Sequence, residues 1–358
     1  MLFSKILGQE QPKQILTALY EKKHFPALLF TGPKGIGKRT TAINFAQIIN
    51  CATTGDIDIN QCVRCQQIGN LIYPDIKVLF PIASSGKSDS ANITDSDDNK
   101  FLDEIGKNIN AFALGQFRPY LPASNIIPIR IVRWLKQEMS YKPLISQYKI
   151  IIILDADRMN QEAANAFLKT LEEPQPQTIF ILTTERISRI IPTIRSRCQT
   201  IRFFKLPKDL IIKHLKNNNI SDSDAKLAAE VSEGSLRTAL DFQYHNIDFL
   251  PDTELLSIFD RSKSSALESL NYIINNDTDT KVIEKLINGL LFIFRKSLQA
   301  KLQISVEYNN EITKTITSNL TIEQIVQRIS ILLNVLNDTE LHLNKKLNLF
   351  TILSNIRF

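Results

Sequence analysis

A glycine-rich turn set between an apolar run and an amphipathic segment constrains this chain more than any other feature. Leu28-Leu-Phe-Thr31 has strand character, Gly32-Pro-Lys-Gly-Ile-Gly-Lys38-Arg39-Thr40 follows it, and Thr40 to Asn50 places Ile43, Ala46 and Ile49 or Phe45 at helical spacing. Strand, glycine turn and helix in that order make a phosphate-binding loop. The glycines let backbone N–H groups converge on phosphate oxygens, the helix N-terminus adds positive potential, and Lys38 reaches the outer phosphates. Gly32, Gly35, Gly37, Lys38 and Thr40 are therefore candidate nucleotide-binding residues. One position departs from the pattern: Arg39 stands where Ser or Thr would offer magnesium a hydroxyl, and a guanidinium has donors only. Thr40 is one residue further along, turned by about 100° around the helix.

Two further apolar runs, Ile150-Ile-Ile-Ile-Leu154 and Thr178-Ile-Phe-Ile-Leu182, are continuous and β-branched, as suits strands covered on both faces. Between them Ala164, Phe167, Leu168 and Leu171 recur at helical spacing within 161–172, ahead of Pro174. Strand, helix, strand after a phosphate loop predicts a parallel α/β sheet. Asp155 ends the second of the three runs, where a carboxylate binds magnesium through water in nucleotide-hydrolysing sites. The next residue is Ala156, whose methyl group cannot orient an attacking water. Asp157 reads as a cap for the following helix. With Arg39 and Ala156 the chain has the shell of an ATPase without the metal ligand and the base.

Residues 84–100 are polar, with four Asp against two Lys and no hydrophobic period, and read as an exposed loop. Phe101 to Leu114 and Ile129 to Met139 read as amphipathic helices separated by Pro119, Pro122 and Pro128, so an insertion over about 81–128 interrupts the α/β domain. After Phe204 the strand-like runs stop. Short helical windows punctuated by Pro207, Asn217–Asn219, Ser221 and Gly234 predict a small helical domain. Beyond it come stripes of Ile283, Ile287, Leu290, Phe294 and Leu298, and of Ile322, Ile325, Ile329, Leu332 and Leu336.

Composition narrows the class. At 358 residues, 43% hydrophobic and 22% charged, the chain is neither disordered nor collagen-like, and no apolar run approaches the roughly 20 residues a bilayer span requires. The opening MLFSKILGQEQPKQ lacks a secretory pattern, which predicts a cytoplasmic protein. The net charge of +6 is concentrated: from Glu185 to Lys205 lie Arg186, Arg189, Arg195, Arg197, Arg202 and Lys205 against one carboxylate. Charge concentrated in one short segment predicts only weak binding of DNA by the lone chain. Three of the four cysteines, Cys51, Cys62 and Cys65, cluster in sequence, a pattern closer to a metal site than to a disulfide framework.

Several longer motifs occur in order: Gly8-Gln9, Leu29-Phe-Thr-Gly-Pro33, Asp155-Ala-Asp-Arg-Met-Asn160, Asn165-Ala-Phe-Leu-Lys-Thr-Leu-Glu-Glu-Pro174 and Ile194-Arg-Ser-Arg-Cys-Gln199. Together they make the chain resemble the bacterial DNA polymerase III clamp-loader subunits of the AAA+ class, and the delta-prime type among them, along nearly its whole length. The resemblance implies a RecA-like AAA+ domain over 1–204, a helical lid over 205–244 and an all-α C-terminal collar over 245–358 that joins subunits. It implies that Arg197 acts as an arginine finger on the ATP of a neighbouring subunit, that Thr183 and Thr184 occupy the sensor-1 position, and that Arg237 matches the sensor-2 arginine. The implied partners are gamma/tau motor subunits and the delta subunit, with the sliding clamp and primer-template DNA met through the assembled complex and no membrane. ATP or ADP and zinc are the implied cofactors. The family's zinc module has four cysteines; Cys51, Cys62 and Cys65 match three, and Ile59 stands at the fourth. Two readings stay open: zinc completed by Asp56, Asp58 or water, or three reduced thiols. A gamma/tau-type motor that hydrolyses ATP is the alternative for the whole chain.

Overall fold

The computed structural model describes residue 3 and residues 6–51, 62–81, 126–244, 280–302 and 311–339. Five parallel strands form one sheet: β1 (Leu28–Thr31), β2 (Ile76–Leu79), β3 (Lys149–Ile153), β4 (Thr178–Thr184) and β5 (Gln199–Arg202), in the order β2-β3-β4-β1-β5. The expected strands are β1, β3 and β4. They lie in the middle of the sheet, and their apolar runs are continuous because helices cover both faces: Ile150 to Ile153 and Leu28 to Phe30 have no exposed surface.

The edge strands carry weaker signals. In β5 only Ile201 is buried, and its register follows from the neighbour, Leu28 to Thr31 pairing with Gln199 to Arg202. Strand β2 keeps Ile76, Val78 and Leu79 inside and Lys77 half-buried.

Helices α1 (Glu10–Glu21), α2 (Lys38–Asn50), α3 (Val63–Gly69), α4 (Ile129–Met139), α5 (Gln161–Glu172) and α6 (Pro192–Arg197) accompany the sheet. Helix α4 forms where its periodicity puts it, burying Ile131, Val132, Leu135 and Met139. The N-cap of α5 is Asn160, whose side chain accepts from Ala163 N at 2.9 Å. Asp157 does not cap that helix; it sits in a single turn, Ala156–Arg158, and accepts a hydrogen bond from Thr184. The polar stretch 84–100 and the helix expected over Phe101–Leu114 lie outside the described residues.

Helices α7 (Lys208–Asn217), α8 (Asp222–Val231) and α9 (Leu236–Tyr244) follow the last strand, and α7 packs on α8. Ser221 caps α8 through Asp224 N. By its internal contacts the chain divides into two compact units, one reaching Ala239 and the other beginning at Leu240. In the second unit α10 (Thr280–Lys301) packs on α11 (Glu311–Asn319) and on α12 (Ile322–Thr339), burying Leu290, Phe294, Ile316, Ile325 and Leu332. Ile322, expected on the buried stripe of α12, is exposed together with Val326. Among the described residues no helix is long and apolar enough to cross a membrane.

Candidate nucleotide site, arginine segment and cysteine cluster

In a parallel sheet all strands end on one edge, and chain reversals there open a crevice for ligands. At that edge β1 runs into the glycine turn, β3 into Asp155, and β4 ends in Thr183 and Thr184. Pairing of Phe30 and Thr31 with Thr183 and Thr184 fixes their alignment. Asp155 adopts a left-handed backbone at φ 49° and donates its N–H to the Thr183 hydroxyl at 3.1 Å. The Thr184 hydroxyl donates to Asp157 Oδ1 at 2.7 Å and accepts from Arg186 N at 3.0 Å. Both threonines are buried and committed to holding the loops after β3 and β4.

Lys38 is buried, and its ammonium donates to Gly32 O at 2.7 Å and Pro33 O at 2.6 Å. Burial lowers its pKa, against the opposing pull of Glu185, Asp155 and Asp157. The Asp155 carboxyl is raised by burial and then by Asp157, while Arg158, Lys38 and Lys34 draw it down. Arg39 occupies the first turn of α2, and burial, with Arg237 adding like charge, lowers its pKa to about 9 against the pull of Asp155. Thr40 is exposed, and the inward hydroxyl is that of Thr41, which donates to Gly37 O at 2.9 Å.

The segment entering α9 lies directly on the glycine turn. Arg237 N donates to Gly35 O at 3.1 Å. A Cβ on Gly35, which has φ +73°, would stand 2.2 Å from Ser235 Oγ, so only glycine admits this approach. Gln9 ties the same turn to the chain leaving β5: its amide donates to Ile36 O and Phe204 O and accepts from Phe204 N at 3.0 Å.

Arg197 ends the short helix α6, well exposed, donating to Glu172 at 2.7 Å and to Thr193 O at 3.1 Å. Cys198 beside it turns inward, and burial pushes its thiol up to about 11, as suits a small apolar side chain. The other three cysteines converge. Cys51 follows α2, Cys62 precedes α3, Cys65 lies within α3, and their sulfurs lie within 4.8 Å of one another, with Cys51 Sγ 3.5 Å from Cys65 Sγ. Tetrahedral zinc at about 2.3 Å from each sulfur places the sulfurs about 3.8 Å apart, so the three fit it. Burial and the two neighbouring thiols raise the Cys65 pKa. Among the described residues no His, Asp or Glu joins the cluster, and Asp56, Asp58 and Ile59 lie outside them.

The family model described as "DNA polymerase III, delta subunit" matches residues 8–207, more than half of the chain. The chain belongs to this family. Among known relatives, DNA polymerase III subunit tau of Bacillus subtilis is 27% identical over 333 residues, covering 85% of this chain and 51% of that protein. Subunit gamma/tau of Mycoplasma genitalium is 29% identical over 270 residues, 73% of this chain and 38% of that protein. Subunit delta' of Bacillus subtilis is 29% identical over 232 residues, 64% of this chain and 58% of that protein. The chain thus spans about half the length of these relatives. A solved gamma subunit-related protein of Thermotoga maritima aligns over 95% of this chain and 97% of its own at 17% identity and a TM-score of 0.41.

In this DNA polymerase III family member the fold brings Gly32, Gly35, Gly37, Lys38, Asp155, Thr183, Thr184 and Arg237 to one end of the sheet. Thr40 faces solvent, and Arg197 belongs to a separate segment. Sequence reasoning missed Glu185, Lys34 and Arg158 around Lys38 and Asp155, Ser235 against Gly35, and Glu172 as the partner of Arg197. Gln9 stood in a recognised motif, but only the fold shows that it bridges the glycine turn and Phe204.

Proposed function

We propose that the chain is a delta-prime-type subunit of the bacterial sliding-clamp loader, which closes the ring of loader subunits without hydrolysing ATP. One observation carries the reading: Asp155 is followed by the buried methyl of Ala156, and Arg39 fills the place of the magnesium-binding hydroxyl. A nucleotide in its own loop is held and not turned over. Arg197 serves a neighbouring motor subunit. Its pair with Glu172 has side chains 38% and 47% exposed, so releasing it costs about 0–1 kcal/mol. A planar cation delivered to a transferring phosphoryl group accelerates such reactions about 10³–10⁵-fold. Gamma/tau and delta subunits are the partners, with the clamp and primer-template DNA engaged by the assembled loader in the cytoplasm. Cys51, Cys62 and Cys65 would hold zinc, which would staple the end of α2 to α3.

The second reading, an ATP-hydrolysing gamma/tau-type motor, draws on the tau and gamma/tau names among the relatives. Steady-state ATP turnover with magnesium, beside a Lys38→Ala control, separates the two. Turnover no higher than the control is expected, and clear Lys38-dependent turnover transfers the assignment to the motor. In a reconstituted loader, Arg197→Ala is expected to leave assembly intact and slow clamp loading; full loading activity would remove the finger from the account.

A further inference from the structure

The magnesium ion that accompanies a phosphate loop does not suit the residues around this one. The position of its hydroxyl ligand belongs to Arg39, the Thr40 side chain is exposed, and the Thr41 hydroxyl is spent on Gly37 O. Around Asp155, the metal's other expected anchor, Arg39, Arg158, Lys38 and Lys34 contribute positive charge against the carboxylates of Asp157 and Glu185 among the described residues. Arg237 approaches Arg39 from the segment docked on Gly35.

We propose that this loop binds a nucleoside di- or triphosphate without magnesium, Arg39 in the first turn of α2 supplying positive charge to the phosphates in place of a metal-binding hydroxyl. The inference rests on the reading of Gly32–Lys38 as a nucleotide loop that holds and does not turn over its ligand. A guanidinium has five N–H donors in a planar fork, so one side chain can face a carboxylate on one edge and phosphate oxygens on the other. A divalent ion admitted beside Arg39 and Arg237 would meet the repulsion of two cations in a half-buried site. A polyphosphate meets the opposite situation, because it supplies the anion that two neighbouring guanidiniums favour. Lys38 then exchanges the carbonyls of Gly32 and Pro33 for phosphate oxygens, a neutral acceptor for a charged one. Arg39 so placed binds and neutralises, and it performs neither of the metal's catalytic tasks of orienting water and activating it.

The test is calorimetric titration of the full chain with ADP and with ATP, once in excess magnesium and once in excess EDTA, for the wild type and for Arg39→Ser. The wild type is expected to bind with affinities that agree within about threefold in the two conditions. Arg39→Ser, which restores the hydroxyl, is expected to lose about tenfold or more in EDTA and to recover with magnesium. Wild-type binding that collapses in EDTA overturns the proposal, as does an Arg39→Ser chain that stays indifferent to metal. Absence of binding in both conditions overturns it too. None of these results bears on turnover, so the proposal and the non-hydrolysing assignment fail separately. If Arg39→Ser does not fold, the wild-type comparison alone decides.

Discussion

Asp75, just before β2, has no exposed surface, yet its carboxylate organises a segment that lies largely in solvent. Oδ1 accepts from Leu144 N at 2.6 Å, and Oδ2 accepts from Ile145 N at 2.9 Å and from the Ser146 amide and hydroxyl at 2.8 Å. Bonds to a charged acceptor contribute about 1.5–3 kcal/mol each. Leu144 and Ile145 are 76% and 59% exposed and their bonds to Asp75 are part-buried, so water replaces part of what their amides lose. The two bonds of half-buried Ser146 then dominate, and Asp75→Ala is expected to destabilise the first unit by about 3 kcal/mol at neutral pH. Burial by itself would raise this carboxyl; the N–H groups of Leu144, Ser146 and Ile145 and the Ser146 hydroxyl outweigh it and hold the pKa below the ordinary value. A depressed folded pKa means that the stabilisation is complete above the unfolded value of about 3.9 and disappears as pH falls through the lower folded value. The gap between wild type and variant is therefore level near neutrality and closes in acid. Urea unfolding followed by Trp134 fluorescence measures it, because the chain's one tryptophan lies in α4, which leads into this segment, with Lys77 Nζ 5.8 Å from its ring centroid. A neutral-pH gap under about 1 kcal/mol, or one that persists unchanged in strong acid, would refute the reasoning.

Gly35→Ala is expected to lift the segment entering α9 from the glycine turn, because the new Cβ would overlap Ser235 Oγ in a backbone that already favours glycine; faster hydrogen exchange at the Arg237 amide, with a stability loss of about 2 kcal/mol, is the readout. Cys65→Ser is expected to abolish zinc retention, with wild-type protein carrying about one zinc per chain that a thiol-specific mercurial releases. Metal-free wild-type protein with three freely titrating thiols would refute the zinc reading.

How much of the fold the sequence discloses follows from how each strand is surrounded. Strands β1, β3 and β4 are covered on both faces, so burial demands an unbroken apolar run and leaves a signal in every residue. Strands β2 and β5 have one neighbour each. In Gln199-Thr-Ile-Arg202 only Ile201 meets the core, and what makes it a strand is the row of N–H and C=O groups offered by β1, a long-range cause with no local signature. The same limit applies in α12. Its period names a face that includes Ile322, but burial on that face depends on what packs against it, and Ile325 and Leu332 are buried while Ile322, at the first position of the helix, is exposed. Asp157 shows the converse: its local sequence suits a cap, but Asn160 is nearer the helix start, and the buried Thr184 hydroxyl takes the Asp157 carboxylate instead.

The candidate site divides along the same line. Arg39 and Ala156 stand out in the sequence because each replaces a group inside a pattern whose other members are present. What those replacements do is not local. Arg39 changes meaning when the fold brings the charges of Asp155 and Arg237 to bear on it, residues 116 and 198 positions away along the chain. A cation in place of a hydroxyl reads from sequence as loss of a metal ligand alone. With Asp155 among its charged neighbours, it would also supply positive charge to a bound polyphosphate. On the proposed reading the same residue ends hydrolysis and preserves binding, and Arg39→Ser, assayed for ATP turnover as well as for binding with and without magnesium, separates those two consequences.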